Sequence, residues 1–152
     1  MPTVIPPLLL LALLLALTLM AWAGHALIEQ RRIRALRELA GRWQMRFVRE
    51  DLFQLGRRLG GQVPVPGAAD VRVLDVIYGA EGSAHRYVFT LEYTLGAVGR
   101  HRREARAATF QDSSDPAADH AQDIKLADAG LPLVKQYESL HDGNTGGDGA
   151  RV

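Results

Sequence analysis

Apolar side chains dominate the first part of the chain and give way to alternating patterns further on. No Asp, Glu, Lys or Arg occurs between Pro2 and Ile28, and nine leucines fill the centre of this stretch: Leu8 to Leu11, Leu13 to Leu15, Leu17 and Leu19. At about 1.5 Å per helical residue, Pro7 to Ile28 covers roughly 33 Å, which matches a hydrocarbon core of about 30 Å. Each central leucine favours insertion by about 0.5 kcal/mol. The pattern therefore predicts a transmembrane anchor over residues 1–28.

A cleaved secretory signal is the alternative interpretation of this segment. A signal has a positive flank before a shorter apolar stretch and a small-x-small cleavage site. Met1 to Pro7 contains no Lys or Arg, and Ala21-Trp22-Ala23 fits the cleavage pattern only loosely. An uncleaved anchor is therefore favoured. Because basic flanks are retained in the cytoplasm, we expect Met1 outside and the chain from Arg31 onward in the cytoplasm.

One tryptophan and four arginines form the expected membrane interface: Trp22, Arg31, Arg32, Arg34 and Arg37. Indole rings prefer the boundary between lipid and water, and the arginines obey the topology rule. Near the surface each arginine also gains about 1 kcal/mol from anionic lipid headgroups. The bilayer and its anionic headgroups are therefore the first expected partners.

Helical periodicity continues past the membrane over residues 29–47. An apolar stripe with spacings of three and four predicts a juxtamembrane amphipathic helix: Ile33, Leu36, Ala40, Trp43 and Phe47. Two interpretations of the stripe are open. It packs on the domain's own sheet, or it forms the contact between the two chains of a homodimer. It covers only about two heptads, fewer than the three or four that are typical of a coiled coil.

A small α+β domain is expected over residues 45–140. Strands are predicted at Val71–Tyr78 and Tyr87–Tyr93, with a weaker strand at Arg106–Gln111 and an edge strand at Ile124–Leu126. Turns are expected at Gly79–Ser83 and at residues 96–99. The result is an antiparallel meander of three to four strands covered by helix.

Three further segments complete the predicted domain. Glu50–Leu55 indicates a short amphipathic turn whose core candidates are Leu52, Phe53 and Leu55, ended by glycines. Leu131–Leu140 indicates a short helix or an extended piece. Residues 141–152 are rich in glycine and lack apolar anchors, so we expect a disordered tail.

The composition argues against most site chemistry. There is no cysteine, which excludes disulfides and thiolate chemistry. The five histidines lack the spacing that presents a metal from one helical face, and the residues around His120 have the composition of a plain acidic loop: Asp112, Asp115, Asp119 and Asp123. Neither a serine-nucleophile motif nor a phosphate-binding glycine loop is present. We expect no cofactor, no metal and no enzymatic activity.

Four arginines gather at the second predicted hairpin and form a possible contact surface: Arg100, Arg102, Arg103 and Arg106. Such a hairpin is either a solvated turn or a contact for lipid phosphates or an acidic protein. Nucleic acid is disfavoured, because the hairpin tip has no aromatic side chains for base stacking.

The chain resembles a group of uncharacterised single-span bacterial membrane proteins, in which an anchor precedes a small domain. Besides the anchor and the basic helix, three segments carry the resemblance: Phe47–Phe53, Arg72–Gly79 and Phe89–Thr94. The resemblance covers roughly Leu8 to Gln111. It implies the bacterial inner membrane and carries over no functional residue.

These expectations combine into a single-pass membrane protein with a cytoplasmic binding or scaffolding domain. Its expected role is as an accessory component of an inner-membrane complex, through a membrane-protein partner or a homodimer. The alternatives are an anchored domain that faces the periplasm, or an enzyme without a recognisable motif.

Overall fold

The computed structural model describes residues 6–82, 84–96, 102–113 and 124–145. The chain divides into two compact units, Met1–Ala35 and Leu36–Val152. Helix α1 (Pro7–Arg42) supplies the described structure of the first unit and continues into the second. Leucine and alanine dominate its first turns and have high helix propensities. Pro7 occupies the first helical position, where its missing N–H costs no hydrogen bond.

A left-handed residue ends α1. Gln44 has a φ of 56°, and the amide of Met45 donates to the carbonyl of Ala40 at 2.9 Å. The amide of Gln44 donates to the carbonyl of Gly41 at 3.1 Å. These two bonds form a Schellman cap, which satisfies carbonyls that the last helical turn would leave unpaired.

The predicted juxtamembrane helix of residues 29–47 is therefore too long at its end. It is continuous with the anchor, as expected, but the helix stops at Arg42 and Arg46–Val48 forms strand β1. Phe47 fits the helical spacing and the strand equally well. The cap decides between the two, because it reverses the chain toward the sheet.

Five antiparallel strands form one sheet in the order β1-β2-β3-β4-β5. After β1 they are β2 (Ala69–Glu81), β3 (Ala84–Leu95), β4 (Arg102–Ser113) and β5 (Lys125–Leu126). The expected α+β fold is confirmed, and the predicted edge strand is β5. The third predicted strand, Arg106–Gln111, is much longer than expected because β4 pairs with β3 along its whole length.

Strand β2 runs through Gly79, where a turn is predicted from the sequence. A Cβ atom on Gly79 would lie 2.7 Å from Cγ of Met45, so this glycine admits the residue that follows the α1 cap. The chain turns at Gly82, which lies within the predicted turn of Gly79–Ser83 and whose φ of 63° favours glycine.

One face of the sheet carries the larger hydrophobic core. The alternating residues of β3 supply its centre, as predicted: Tyr87, Phe89, Leu91 and Tyr93. Helix α2 (Leu55–Leu59) covers this face with its two terminal leucines. The carboxylate of Asp51 accepts the amides of Leu55 and Gly56, both at 2.7 Å, and so caps α2. The prediction of a core position is wrong for Leu52, since its side chain is 65 % exposed.

The opposite face carries a second core. Leu36, Leu39 and Ala40 of α1 pack there with Ile77, Val88 and Ala107 of the sheet. The interpretation that the stripe packs on the domain's own sheet is confirmed for Leu36 and Ala40. A second helix that the sequence left undecided, α3 (Leu133–Thr145), covers the same face and buries Tyr137.

Helix α3 also corrects the predicted tail. Residues 141–145 are helical rather than disordered, because the helix that begins at Leu133 carries through them. Residues 146–152 lie outside the described residues. The expected turn at residues 96–99 lies outside them from residue 97 onward, and Ser83 of the first predicted turn does so too.

Candidate membrane anchor and binding surface

The first unit exposes an uninterrupted apolar surface. In α1 the most apolar window of 18 residues has none of its members buried within the protein, and the helix is long and apolar enough to span a membrane. Removing leucine surface from water is favourable by roughly 25 cal/mol for each Å². A helix that is apolar on all sides and has no protein cover matches a membrane span by length and composition.

The predicted interface residues all lie on α1. Trp22 is 72 % exposed, and Arg31, Arg34 and Arg37 are exposed as well. Arg32 differs, because its guanidinium bonds to the Glu29 carboxylate at 3.0 Å and is half-buried. Three of the four arginines are thus accessible to charged headgroups or to water.

The predicted basic contact surface is not a cluster of free cations. Arg102 and Arg103 begin β4 and are exposed, but they pair with Glu104 at 3.4 Å and with Asp70 at 3.3 Å. The guanidinium of Arg106 is half-buried and donates to the carbonyl of Ala127, so it fixes the segment after β5. Arg100 lies outside the described residues. Arg106 therefore exposes less of its guanidinium than Arg102 and Arg103 do, and the contact surface itself stays a prediction.

The histidines are placed differently from one another. His25 and His85 are exposed, as expected, whereas His101 and His120 lie outside the described residues. His141 corrects the expectation of a solvated side chain, because its ring stacks on Trp43 with 4.1 Å between the centroids. Burial lowers the pKa of His141, and the positive charge of Arg86 lowers it further.

Only the start of the predicted acidic loop lies within the described residues. Asp112 bonds to Arg58 at 3.0 Å and so belongs to an ion pair; the carboxylates at positions 115, 119 and 123 and His120 lie outside the described residues. Within the part of the chain that the structure describes, no three His, Asp or Glu side chains are grouped as metal ligands would be.

A groove at the start of β1 was not predicted from the sequence. It has a volume of about 250 Å³ and six lining residues: Gln44, Arg46, Tyr78, Gly79, Ala80 and His85. Arg46 lies directly opposite Tyr78, and Ala80 lies directly opposite His85. Residues opposite each other in a sheet share a face, as do residues two apart in a strand. Arg46, Tyr78, Ala80 and His85 therefore project to one face.

The aromatic side chains beside the groove give it a rigid wall. The ring of Phe53 lies edge-on to both Tyr78 and Tyr87, with centroids 4.6 Å and 5.3 Å away. Burial raises the pKa of Tyr87, and the nearby Asp112 carboxylate raises it further, so this phenol stays protonated. No sequence signal marks the groove, because β1 and β3 meet around it only through the tertiary fold.

Comparison with protein-family models, with curated proteins and with solved structures finds no match to this chain. The resemblance to single-span bacterial membrane proteins therefore remains a prediction from the sequence.

Proposed function

We propose that the chain is a single-pass protein of the bacterial inner membrane whose second unit is a cytoplasmic binding domain. Its role is that of an accessory or scaffolding component of a membrane complex rather than of an enzyme. The observation that carries this proposal is the uncovered apolar surface of α1 over the first unit. The arginines that follow it, Arg31 to Arg37, support the orientation with Met1 outside.

The second unit supports binding over catalysis. Both faces of its sheet are packed with apolar side chains, and the groove beside β1 is small and open. Catalytic sites are generally larger concave pockets in which titratable groups converge. Among the described residues no three His, Asp or Glu side chains are grouped as metal ligands would be.

The membrane assignment is tested by double substitution in the anchor. An arginine at the centre of a membrane helix costs about 3 kcal/mol, so Leu13→Arg with Leu15→Arg outweighs the roughly 4 to 5 kcal/mol that the leucines supply. The parent chain should resist extraction by alkaline carbonate, and the double variant should be extracted. Leu13→Ala with Leu15→Ala is the matched control and should stay in the pellet. A parent chain found in the soluble fraction would refute the proposal.

Orientation is tested with reporters fused after Val152. A fluorescent protein that matures only in the cytoplasm should be bright, and alkaline phosphatase, which is active only in the periplasm, should be silent. Replacing Arg31, Arg32 and Arg34 by Gln and adding three lysines before Pro7 should exchange the two signals. The opposite pattern in the parent chain would assign the domain to the periplasm.

The scaffolding role is tested by crosslinking in native membranes. A defined set of membrane proteins should be recovered with the full chain and not with the extracted Leu13→Arg, Leu15→Arg variant. Recovery of the same background proteins with both chains would contradict the role.

A further inference from the structure

The groove beside β1 adjoins a sheet edge and is lined by the guanidinium of Arg46 and the imidazole of His85, neither of which pairs with a carboxylate of the described residues. Building on the proposed binding role, we infer that it docks an extended acidic segment of a partner protein. The segment pairs with the outer edge of β1 and places a Glu or Asp carboxylate between Arg46 and His85.

The shape of the groove follows from the side chains in its row. Ala80 is small and lies between the positions of Arg46 and His85, so the surface is recessed there. Tyr78 forms a wall, and it is held by Phe53 at 4.6 Å. A volume of about 250 Å³ is below the range of roughly 300 to 1,000 Å³ that is typical of ligand and cofactor pockets. It is sufficient for one side chain of a partner.

The charge of the groove favours an acidic occupant. Asp112 lies directly opposite His85 in the sheet, but its carboxylate already bonds to Arg58 at 3.0 Å. In the described part of the chain neither Arg46 nor His85 has an ion pair or a side-chain hydrogen bond. The positive charge of the Arg46 guanidinium therefore has no carboxylate partner among the described residues, and a bound carboxylate would make charge-assisted hydrogen bonds to it.

The sheet edge supplies the main-chain part of the interaction. Among the described strands β1 pairs only with β2, so no described strand occupies its other edge, where a strand of a partner would pair. The opposite edge, β5, also carries an exposed cation, Lys125, but does not line the groove. Lys125 therefore serves as a matched control for nonspecific attraction between charges.

The test uses the full chain in nanodiscs of neutral phosphatidylcholine and a probe peptide, acetyl-Val-Glu-Val-Glu-Val-Glu-amide, whose binding is measured by isothermal titration calorimetry. The probe should bind. The same peptide with Gln in place of each Glu should bind at least about tenfold more weakly. Arg46→Gln should weaken the Glu peptide about tenfold, and Ala80→Leu, which fills the recess, should abolish its binding. Lys125→Gln should change the affinity less than twofold.

Two further measurements separate strand pairing from other contacts. A Glu peptide that is N-methylated at alternate residues should lose binding, because it cannot pair with β1. His85→Gln should weaken the probe even if Ala80→Leu proves unstable by circular dichroism. The inference is overturned if the Glu peptide does not bind, if Arg46→Gln and Lys125→Gln act equally, or if Ala80→Leu folds and binds like the parent chain.

The same variants distinguish this inference from the proposed function. If crosslinking in native membranes recovers the same specific partners with Arg46→Gln as with the parent chain, the scaffolding role stands and the groove is not its docking site. If probe binding follows the groove variants but the chain is soluble, the groove stands and the membrane role fails. Vesicles of anionic lipid that bind the Ala80→Leu chain and the parent equally, in the absence of peptide binding, would assign the basic residues to lipid contact instead.

Discussion

Tyr137 of α3 donates a hydrogen bond of 2.7 Å to the main-chain carbonyl of Asp75 in the middle of β2. Asp75 is buried, has a φ of 53° and lies where the register between β2 and β3 shifts. A bulge disrupts the ladder and leaves main-chain groups without cross-strand partners. The Tyr137 hydroxyl, which also lies 2.8 Å from Oγ1 of Thr90, supplies one such partner and joins α3 to two strands.

Tyr137→Phe should therefore destabilise the domain by about 2 kcal/mol, because it leaves a buried carbonyl and a buried hydroxyl without this bond. Thermal unfolding of the full chain in detergent, followed by near-ultraviolet circular dichroism, measures the change. Tyr78→Phe is the control. Its hydroxyl has no hydrogen-bond partner in the described part of the chain, so that variant should stay within about 0.5 kcal/mol of the parent. Equal losses in the two variants would contradict the role of Tyr137.

Gly79→Ala should destabilise the domain by about 1 to 3 kcal/mol. The added Cβ would lie 2.7 Å from Cγ of Met45, and either the side chain or β1 must shift to admit it. Combining it with Met45→Ala should recover part of the loss, and a double-mutant cycle measures this coupling. Gly61→Ala is the control, because a Cβ at Gly61 meets nothing within 4 Å. An additive cycle would show that Met45 is not the cause.

Arg86 is 1 % exposed and holds the last part of α3 to β3. Its guanidinium donates to the carbonyl of Leu140 at 2.8 Å and to that of His141 at 3.4 Å, and it pairs with Glu81. Arg86→Met should cost about 2 to 4 kcal/mol, since these acceptors lose a charged donor.

Amide hydrogen exchange provides the specific measurement for Arg86. In Arg86→Met, exchange should accelerate over the end of α3 more than in the centre of β3. Arg72→Met is the control, because Arg72 is largely exposed and lies 3.5 Å from Asp70, an ion pair worth less than about 1 kcal/mol. Uniform acceleration along the whole domain would contradict a local role for Arg86.

The periodicity of the chain predicted those elements in which one local pattern fits only one structure. Tyr87 to Tyr93 alternate cleanly, and the leucines of α1 form an unbroken apolar stretch, so the strand and the long apolar helix were predicted correctly. Arg46–Val48 could not be predicted as a strand, because three residues carry too little periodicity to override the helical spacing of Phe47. The left-handed conformation of Gln44 decides the matter, and nothing in a glutamine signals it.

The candidate groove, and the burial of both faces of the sheet, could not be predicted from the sequence for a related reason. Val88 and Thr90 occupy positions that alternation assigns to a solvated face, yet α1 and α3 cover that face and bury both. Gly79 has the local sequence signal of a turn. Glycine is needed there because the side chain of Met45, far away in the sequence, lies against it. Burial and close approach between segments far apart in sequence are properties of packing, which local patterns do not encode.

His141 should make the stability of the domain depend on pH. Its ring stacks on Trp43, and burial lowers its pKa below the ordinary value of about 6.5; Arg86 acts in the same direction, while Asp142 and Glu81 oppose it. A histidine whose pKa is lower in the folded state binds more protons when unfolded. Stability from this group is therefore complete above about pH 6.5 and is lost as the pH falls from there toward the folded pKa.

His141→Gln tests this dependence. The free energy of unfolding of the parent chain should fall between pH 7.5 and pH 5 more steeply than that of the variant, so the difference between the two should shrink toward acid pH. Glu138 does not interfere with this measurement. Its pKa is lowered, first by the hydrogen bond from Lys135, so its contribution to stability is lost only at lower pH, where carboxylates protonate. A parent and variant that differ by the same amount at every pH in this window would show that His141 contributes packing on Trp43 but no proton linkage.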